Sequence, residues 1–230
     1  MRFTWFILGL VFLTSVFYAK SVLLIIDASG SMGEYMPDGS QTRLDAAKSA
    51  AINLVQSSND EFALMVYTDC DYGGDPYSGP ISVWQDFTYD KSSLISKIQS
   101  ITSQSMTPIA NSIQEGETYL RQTRGTGTIV LLTDGEETCG YSSDIPPAIS
   151  AATNNGISVH VIGFQLSDYS SQKLQQDVQT GGGKYYTADD EYQLTQAFQQ
   201  ATGDDTCCCS AFILLLLPLA GVLGKAFFAF

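Results

Sequence analysis

The chain of 230 residues contains a single histidine, His160, set inside the alternating run "ISVHVIGF" at residues 157–164. Without a second imidazole a multi-histidine zinc site has nothing to draw on, and no Ser-His-Asp triad suggests itself, so His160 reads as a packed core or sheet-face residue. Bases are scarce too: 11 Lys and Arg stand against 24 Asp and Glu, a formal net charge of -13. That balance repels nucleic acid and anionic headgroups unless a local basic patch forms, and the sequence has none. The run "GGGKYY" at residues 181–186 lacks the parts of a phosphate loop, since Val178 replaces the first glycine and Tyr185 the hydroxyl residue after the lysine. No internal repeat or disordered linker interrupts residues 60–202. Length and 44% hydrophobic content therefore describe one domain with a full core.

Both ends differ from this middle. Residues 1–19, "MRFTWFILGLVFLTSVFYA", carry an early Arg2 and an apolar stretch, and read as a secretory signal cleaved near Ala19. Phe17 departs from the small-x-small rule at such sites, so an uncleaved anchor is the alternative. Residues 211–230, "AFILLLLPLAGVLGKAFFAF", lack any polar side chain as far as Gly224 and hold one charge, Lys225. A core helix would show polar residues at helical spacing; this segment reads instead as a membrane span that holds the domain outside the cell. Residues 203–210 form a short polar, Cys-rich hinge. Five cysteines suit a compartment outside the cytosol. For Cys207, Cys208 and Cys209, acylation, crosslinking between chains and processing all stay open.

From residue 20 to 202, strand-like and helix-like segments alternate, which predicts an α/β fold: a doubly wound, mostly parallel six-stranded sheet with helices on both faces. Strands are expected at 22–26, 61–68, 81–87, 129–132, 157–164 and 184–188, and helices at 43–58, 91–101, 109–121 and 191–201. The Gly- and Pro-rich loop between the second and third strands is too short for a helical crossover, which makes the third strand an antiparallel edge strand. Asp69, Asp71 and Asp75 in that loop match no calcium-binding spacing and read as a solvated acidic loop. Most of the aromatics around it (Tyr67, Tyr72, Tyr77, Trp84, Phe87) are expected to pack in the core or at the edge, with an exposed few contacting a partner.

The chemistry sits where apolar runs stop. "SVLLIIDASGSM" begins as a strand buried on both faces and ends in Asp27, Ser29 and Ser31; "GTIVLLTDG" ends likewise in Asp134. In an open parallel sheet the carboxyl ends of strands form the crevice where ligands bind. With "DASGS" at residues 27–31, "MTPIA" at 106–110 and "LLTDGEET" at 131–138, the chain resembles a von Willebrand factor type A (vWA) domain from about residue 21 to 201. The resemblance implies a metal-ion-dependent adhesion site. Ser29, Ser31 and Thr107 would offer hydroxyl oxygens, and Asp27 and Asp134 would hold the ion directly or through water. Such an oxygen set suits hard Mg²⁺, with Mn²⁺ or Ca²⁺ as alternatives. Ser105 stands where the family commonly has glycine, a departure that bears on the loop carrying Thr107.

The function implied by the resemblance is that of an extracellular, non-enzymatic binding module. It would recruit an Asp or Glu of a protein partner to the ion and serve adhesion or the assembly of a surface complex, with its C-terminal segment in the membrane and no part played by nucleic acid. Two rivals are an accessory subunit whose metal is structural and a metal-assisted hydrolase, for which Glu34, Glu136 and Glu137 are the only nearby general bases. The strand order of this fold also places strands 61–68 and 129–133 on either side of the first. It thereby predicts a Cys70–Cys139 disulfide, as in secreted bacterial members of the family; two free thiols, or pairing with the Cys207–Cys209 cluster, are the alternatives.

Overall fold

A computed structural model describes residues 19–70, 79–104 and 106–203. The expected signal segment, membrane segment, Cys207–Cys209 cluster, Ser105, and Asp71, Tyr72, Asp75 and Tyr77 lie outside the described residues. Among the described residues no helix is long and apolar enough to cross a membrane.

Six strands form one sheet: β1 (Ser21–Asp27), β2 (Glu61–Tyr67), β3 (Ile81–Thr88), β4 (Gly127–Thr133), β5 (Ile157–Phe164) and β6 (Lys184–Ala188). Their spatial order is β3-β2-β1-β4-β5-β6. All neighbours run parallel except β2 and β3, so β3 is the antiparallel edge expected from its short connection. Among the described residues six α-helices accompany them: α1 (Arg43–Ser57), α2 (Lys91–Gln99), α3 (Ile109–Thr123), α4 (Ile145–Asn154), α5 (Asp168–Thr180) and α6 (Glu191–Thr202).

The pleat of β1 shows why its apolar run is unbroken. Val22, Leu24 and Ile26 face the core under α1, α2 and α6, while Leu23 and Ile25 face the core under α3, α4 and α5. All five are fully buried. Each such side chain contributes about 1.5–3 kcal/mol on transfer from water, so a central strand wet on either face would not hold this position. Several helices begin on side-chain caps. Thr42, Asp90, Ser167 and Asp190 accept backbone N–H groups at the starts of α1, α2, α5 and α6, satisfying donors that a helix leaves unpaired.

The structure corrects several local expectations. Helix α2 stops at Gln99, before the expected Ile101, and α3 continues to Thr123. The stretch after Cys139, for which no helix is expected from the sequence, contains α4, with prolines in its first turn where no helical N–H is needed. Helix α5 had no counterpart in the sequence reading. Only Leu174 and Val178 of its thirteen residues are buried, too few to show a helical period.

Candidate functional site

Parallel strands β1 and β4 lie side by side in the register Ile26 to Leu132, which sets Asp27 beside Thr133 and brings Asp134 just beyond. Asp27 is wholly buried. Its Oδ1 accepts the Ser29 backbone N–H at 2.7 Å and its Oδ2 accepts the Thr133 hydroxyl at 2.8 Å. Ser29 Oγ lies 3.1 Å from Ser31 Oγ, and Ser31 Oγ donates to Asp134 Oδ1 at 2.6 Å. Four of the five expected ligand residues thus join in one hydrogen-bonded chain across the ends of two strands.

The fifth, Thr107, comes from the loop between α2 and α3. Its backbone N–H donates to Thr138 Oγ1 at 2.7 Å, and Thr138 N–H donates back to the Thr107 carbonyl at 3.0 Å. A Cβ at Gly135 would sit 3.4 Å from Thr107 Oγ1 and 3.8 Å from Ser31 Oγ, so glycine there leaves the space between the two hydroxyls open. Gly33 serves a related purpose. A Cβ on it would meet Ser103 Oγ at 2.6 Å, and its absence lets the turn after β1 approach the Thr107 loop. The same loop is held by Gln104 N–H to the Ala28 carbonyl at 2.6 Å and Met106 N–H to the Thr68 carbonyl at 3.2 Å. Cys70 and Cys139 form a disulfide, Cα to Cα 5.3 Å, that ties the loop after β2 to the loop after β4.

Two carboxylates in one buried place repel each other. Burial, then the charge of Asp134, pushes the Asp27 carboxyl up to about 6, against the pull of its Ser29 and Thr133 hydrogen bonds. Asp134 is raised too, chiefly by burial, although Ser31 and Arg43 hold it down. Arg43, the first residue of α1, donates to Asp134 Oδ2 at 2.9 Å and lies 3.6 Å from Glu34. On neighbouring β2 the Tyr67 hydroxyl is fully buried, and burial and the Asp27 charge push it well above its ordinary range. Arg43 is thus shared between Asp134 and Glu34.

This donor set fits a hard divalent cation. It offers two carboxylates and three hydroxyls, no nitrogen and no sulfur, and among the described residues Asp27 has no cation paired with it. Among the described residues no three His, Cys, Asp or Glu side chains converge to hold a metal, so hydroxyls would have to complete any coordination here.

Arg43, Thr133, Thr138 and Tyr67 are the parts the sequence reading missed. Thr133 and Thr138 stand inside "LLTDGEET", a motif that signals them; Arg43 has no signal beyond opening a helix. Tyr67 packs in the core, as expected of most aromatics around that loop, but its place beside Asp27 has no signal in the sequence. The three glutamates considered as bases are all engaged. Glu34 lies near Arg43, Glu136 accepts from Ser170 at 2.7 Å, and Glu137 accepts the N–H groups of Ala110, Cys139 and Gly140. His160 is buried beside Tyr186, with Nδ1 3.3 Å from the phenol oxygen.

Among curated proteins the chain is similar to YwmC of Bacillus subtilis (strain 168), an uncharacterized protein, with 28% identity over 189 residues covering 78% of this chain and 82% of that one. YwmD of the same organism is 25% identical over 191 residues, covering 78% and 84%. Among solved structures it is similar to the PilB minor pilin of Streptococcus sanguinis, with a TM-score of 0.65 at 16% identity, covering 81% of this chain but 61% of the pilin. The pilus adhesin SpaC of Lactobacillus rhamnosus GG matches with a TM-score of 0.63 at 17% identity, covering 82% of this chain and 30% of the adhesin. At these identities the two structures speak for the fold. The profile of the von Willebrand factor type A domain matches residues 21–200, and the chain belongs to that family.

Proposed function

We propose that the domain is an extracellular protein-binding module, used in adhesion or in assembling a surface complex, that binds its partner through a divalent cation. Mg²⁺ is the ion the donor set suits best, with Mn²⁺ or Ca²⁺ as substitutes. Ser29, Ser31 and Thr107 would hold it through hydroxyls, and Asp27 and Asp134 directly or through water. Bound among largely neutral oxygens, the ion would supply uncancelled positive charge for an Asp or Glu of the partner to complete.

The observation that carries this reading is the chain of contacts from Asp27 through Ser29 and Ser31 to Asp134, with Thr107 facing it across Gly135. The protein's own groups supply the rest. Thr133 orients Asp27, Arg43 pairs with Asp134, and the Thr138 clasp fixes Thr107 at the mouth. A hydrolase is the weaker reading because Glu34, Glu136 and Glu137 already hold other partners.

The site lies at the carboxyl ends of the parallel strands, whereas residue 20 and the end of α6 meet at the opposite pole, where Lys20 Nζ donates to the Thr202 carbonyl at 2.6 Å. Tethered through residues 211–230, the domain would point its site away from the cell surface. Resemblance in fold to a minor pilin, a pilus adhesin and a pilus tip protein agrees with work of this kind. Isothermal titration of the full chain in detergent with Mg²⁺ and with Mn²⁺ is the test. Saturable binding at one site is expected, lost in Thr107→Ala while far-ultraviolet circular dichroism stays unchanged. Equal heats from wild type and variant would defeat the proposal.

A further inference from the structure

Among the described residues six large hydrophobic side chains are exposed, and five of them share one pole of the molecule. Tyr35 (68% exposed) follows β1, Tyr141 (77%) follows β4, Tyr169 (72%) opens α5 after β5, Tyr192 (71%) opens α6 after β6, and Met106 precedes Thr107. All the strands concerned are parallel, so their carboxyl ends, and these residues, lie at the same pole as the candidate metal site. The sixth, Tyr89, follows the antiparallel β3 and therefore sits at the far pole. Hydrogen bonds join these loops into one rim. Tyr35 bridges to Thr42, Gln41 reaches Glu191 beside Tyr192 at 2.7 Å, and Ser170 beside Tyr169 reaches Glu136 next to Gly135.

The charges between the tyrosines are mostly acidic. Glu34, Glu136, Asp168, Asp189 and Asp190 are exposed on the same loops. The bases nearest the site are already paired with acids, Arg43 with Asp134 and Lys173 with Glu136. Tyrosine combines large contact area with few rotors and a polar tip, and it is enriched in interface hot spots; its ring face also attracts cations. An acidic rim around a site for a carboxylate sets two opposite demands on one ligand.

We infer that the partner surface is a protein segment in which one Asp or Glu is flanked by Lys or Arg, the acid directed to the metal site and the basic side chains lying over the rim tyrosines between its carboxylates. This rests on the function proposed above for the carboxylate and adds what surrounds it. A second copy of this chain is the wrong occupant, because two acidic rims repel. A neutral glycan stacked on the tyrosines is the rival that the test must distinguish.

The experiment measures binding of fluorescent peptides to the full chain in detergent with Mg²⁺. One peptide has a central Asp flanked by lysines, a second the same Asp flanked by serines, and a third Asn flanked by lysines; a set of neutral oligosaccharides is run alongside. Expected is at least a tenfold preference for the lysine-flanked Asp over the serine-flanked Asp at low salt, shrinking severalfold as salt rises. Replacing Tyr35 and Tyr169 together by Ala should weaken that peptide about tenfold and replacement by Phe much less, both residues being too exposed to disturb the core. Equal affinity for the two Asp peptides, or tyrosine-dependent binding of the oligosaccharides with no peptide binding, overturns the inference. If the lysine-flanked Asp and Asn peptides bind alike with Mg²⁺ and with chelator, the metal reading fails while the basic-flank preference survives, so the two failures are distinct.

Discussion

Replacing Asp27 by Asn should stabilise the metal-free protein and at the same time abolish its response to Mg²⁺. Asp27 is wholly buried, and its carboxyl is pushed from 3.8 to about 6 by burial and by Asp134. A raised carboxyl pKa means that the native state holds more protons than the unfolded one between those values, so stability falls as pH rises through that window. Above pH 6 the ionised carboxylate costs about 3 kcal/mol, the shift multiplied by about 1.4 kcal/mol per unit. Asn still accepts the Ser29 N–H, but its amide cannot accept from Thr133, whose hydroxyl has the Gly135 carbonyl 3.4 Å away as a second acceptor. Losing that bond costs about 1 kcal/mol and leaves a net gain of about 2 kcal/mol. In a domain of this size that is a rise of roughly 4–8 °C in Tm. With Mg²⁺ a thousandfold above its Kd, wild type gains about 4 kcal/mol and the order reverses. Thermal unfolding by differential scanning fluorimetry at pH 7.5, with chelator and with Mg²⁺, reads both effects, and at pH 5 the chelator difference should shrink. A variant less stable than wild type in chelator, or one stabilised by Mg²⁺ as much as wild type, would refute the reasoning.

Three further outcomes are expected. Changing Cys70 and Cys139 together to Ser opens a crosslink spanning 69 positions, and the chain-entropy relation then gives a loss of about 4 kcal/mol, measurable by urea unfolding against the oxidised wild type. An unchanged midpoint would show that the bond does not constrain the unfolded chain. His160 is held down to about 4 by burial and then by Lys184 and Lys20, so the native state stays neutral while the unfolded chain takes up a proton below pH 6.5. Stability should fall from pH 6.5 towards 4 in wild type and fall less in His160→Gln, whereas parallel pH profiles would contradict the assignment. A chain ending at Gly203 should fold with unchanged circular dichroism, because α6 closes there on a left-handed glycine and Lys20 already binds the Thr202 carbonyl; an aggregated, unfolded product would show that later residues belong to the core.

Much of the fold was legible because parallel strands buried on both faces leave uninterrupted apolar runs. Residues 22–26 and 129–132 are such runs, and the acids that end them mark the crevice. Helices α4 and α5 left weaker marks. The first opens on two prolines, and the second has only two buried positions among polar neighbours. At the site the hydroxyls and carboxylates were legible through their motifs, while Arg43 was not, because a cation that reaches an acid 91 positions away has no local signature. The rim tyrosines were invisible for the same reason. Scattered from residue 35 to 192, they look like single exposed aromatics until the strand order collects them at one pole.

The most direct test is a crystal structure of the protein grown with Mn²⁺, with data collected to locate the metal by its anomalous scattering. The expected result is one strong peak about 2.2 Å from Ser29 Oγ, Ser31 Oγ and Thr107 Oγ1, with Asp27 and Asp134 within reach directly or through water. A map with no peak among these oxygens at saturating Mn²⁺, or with its peak on other residues, would contradict the proposed metal-dependent function.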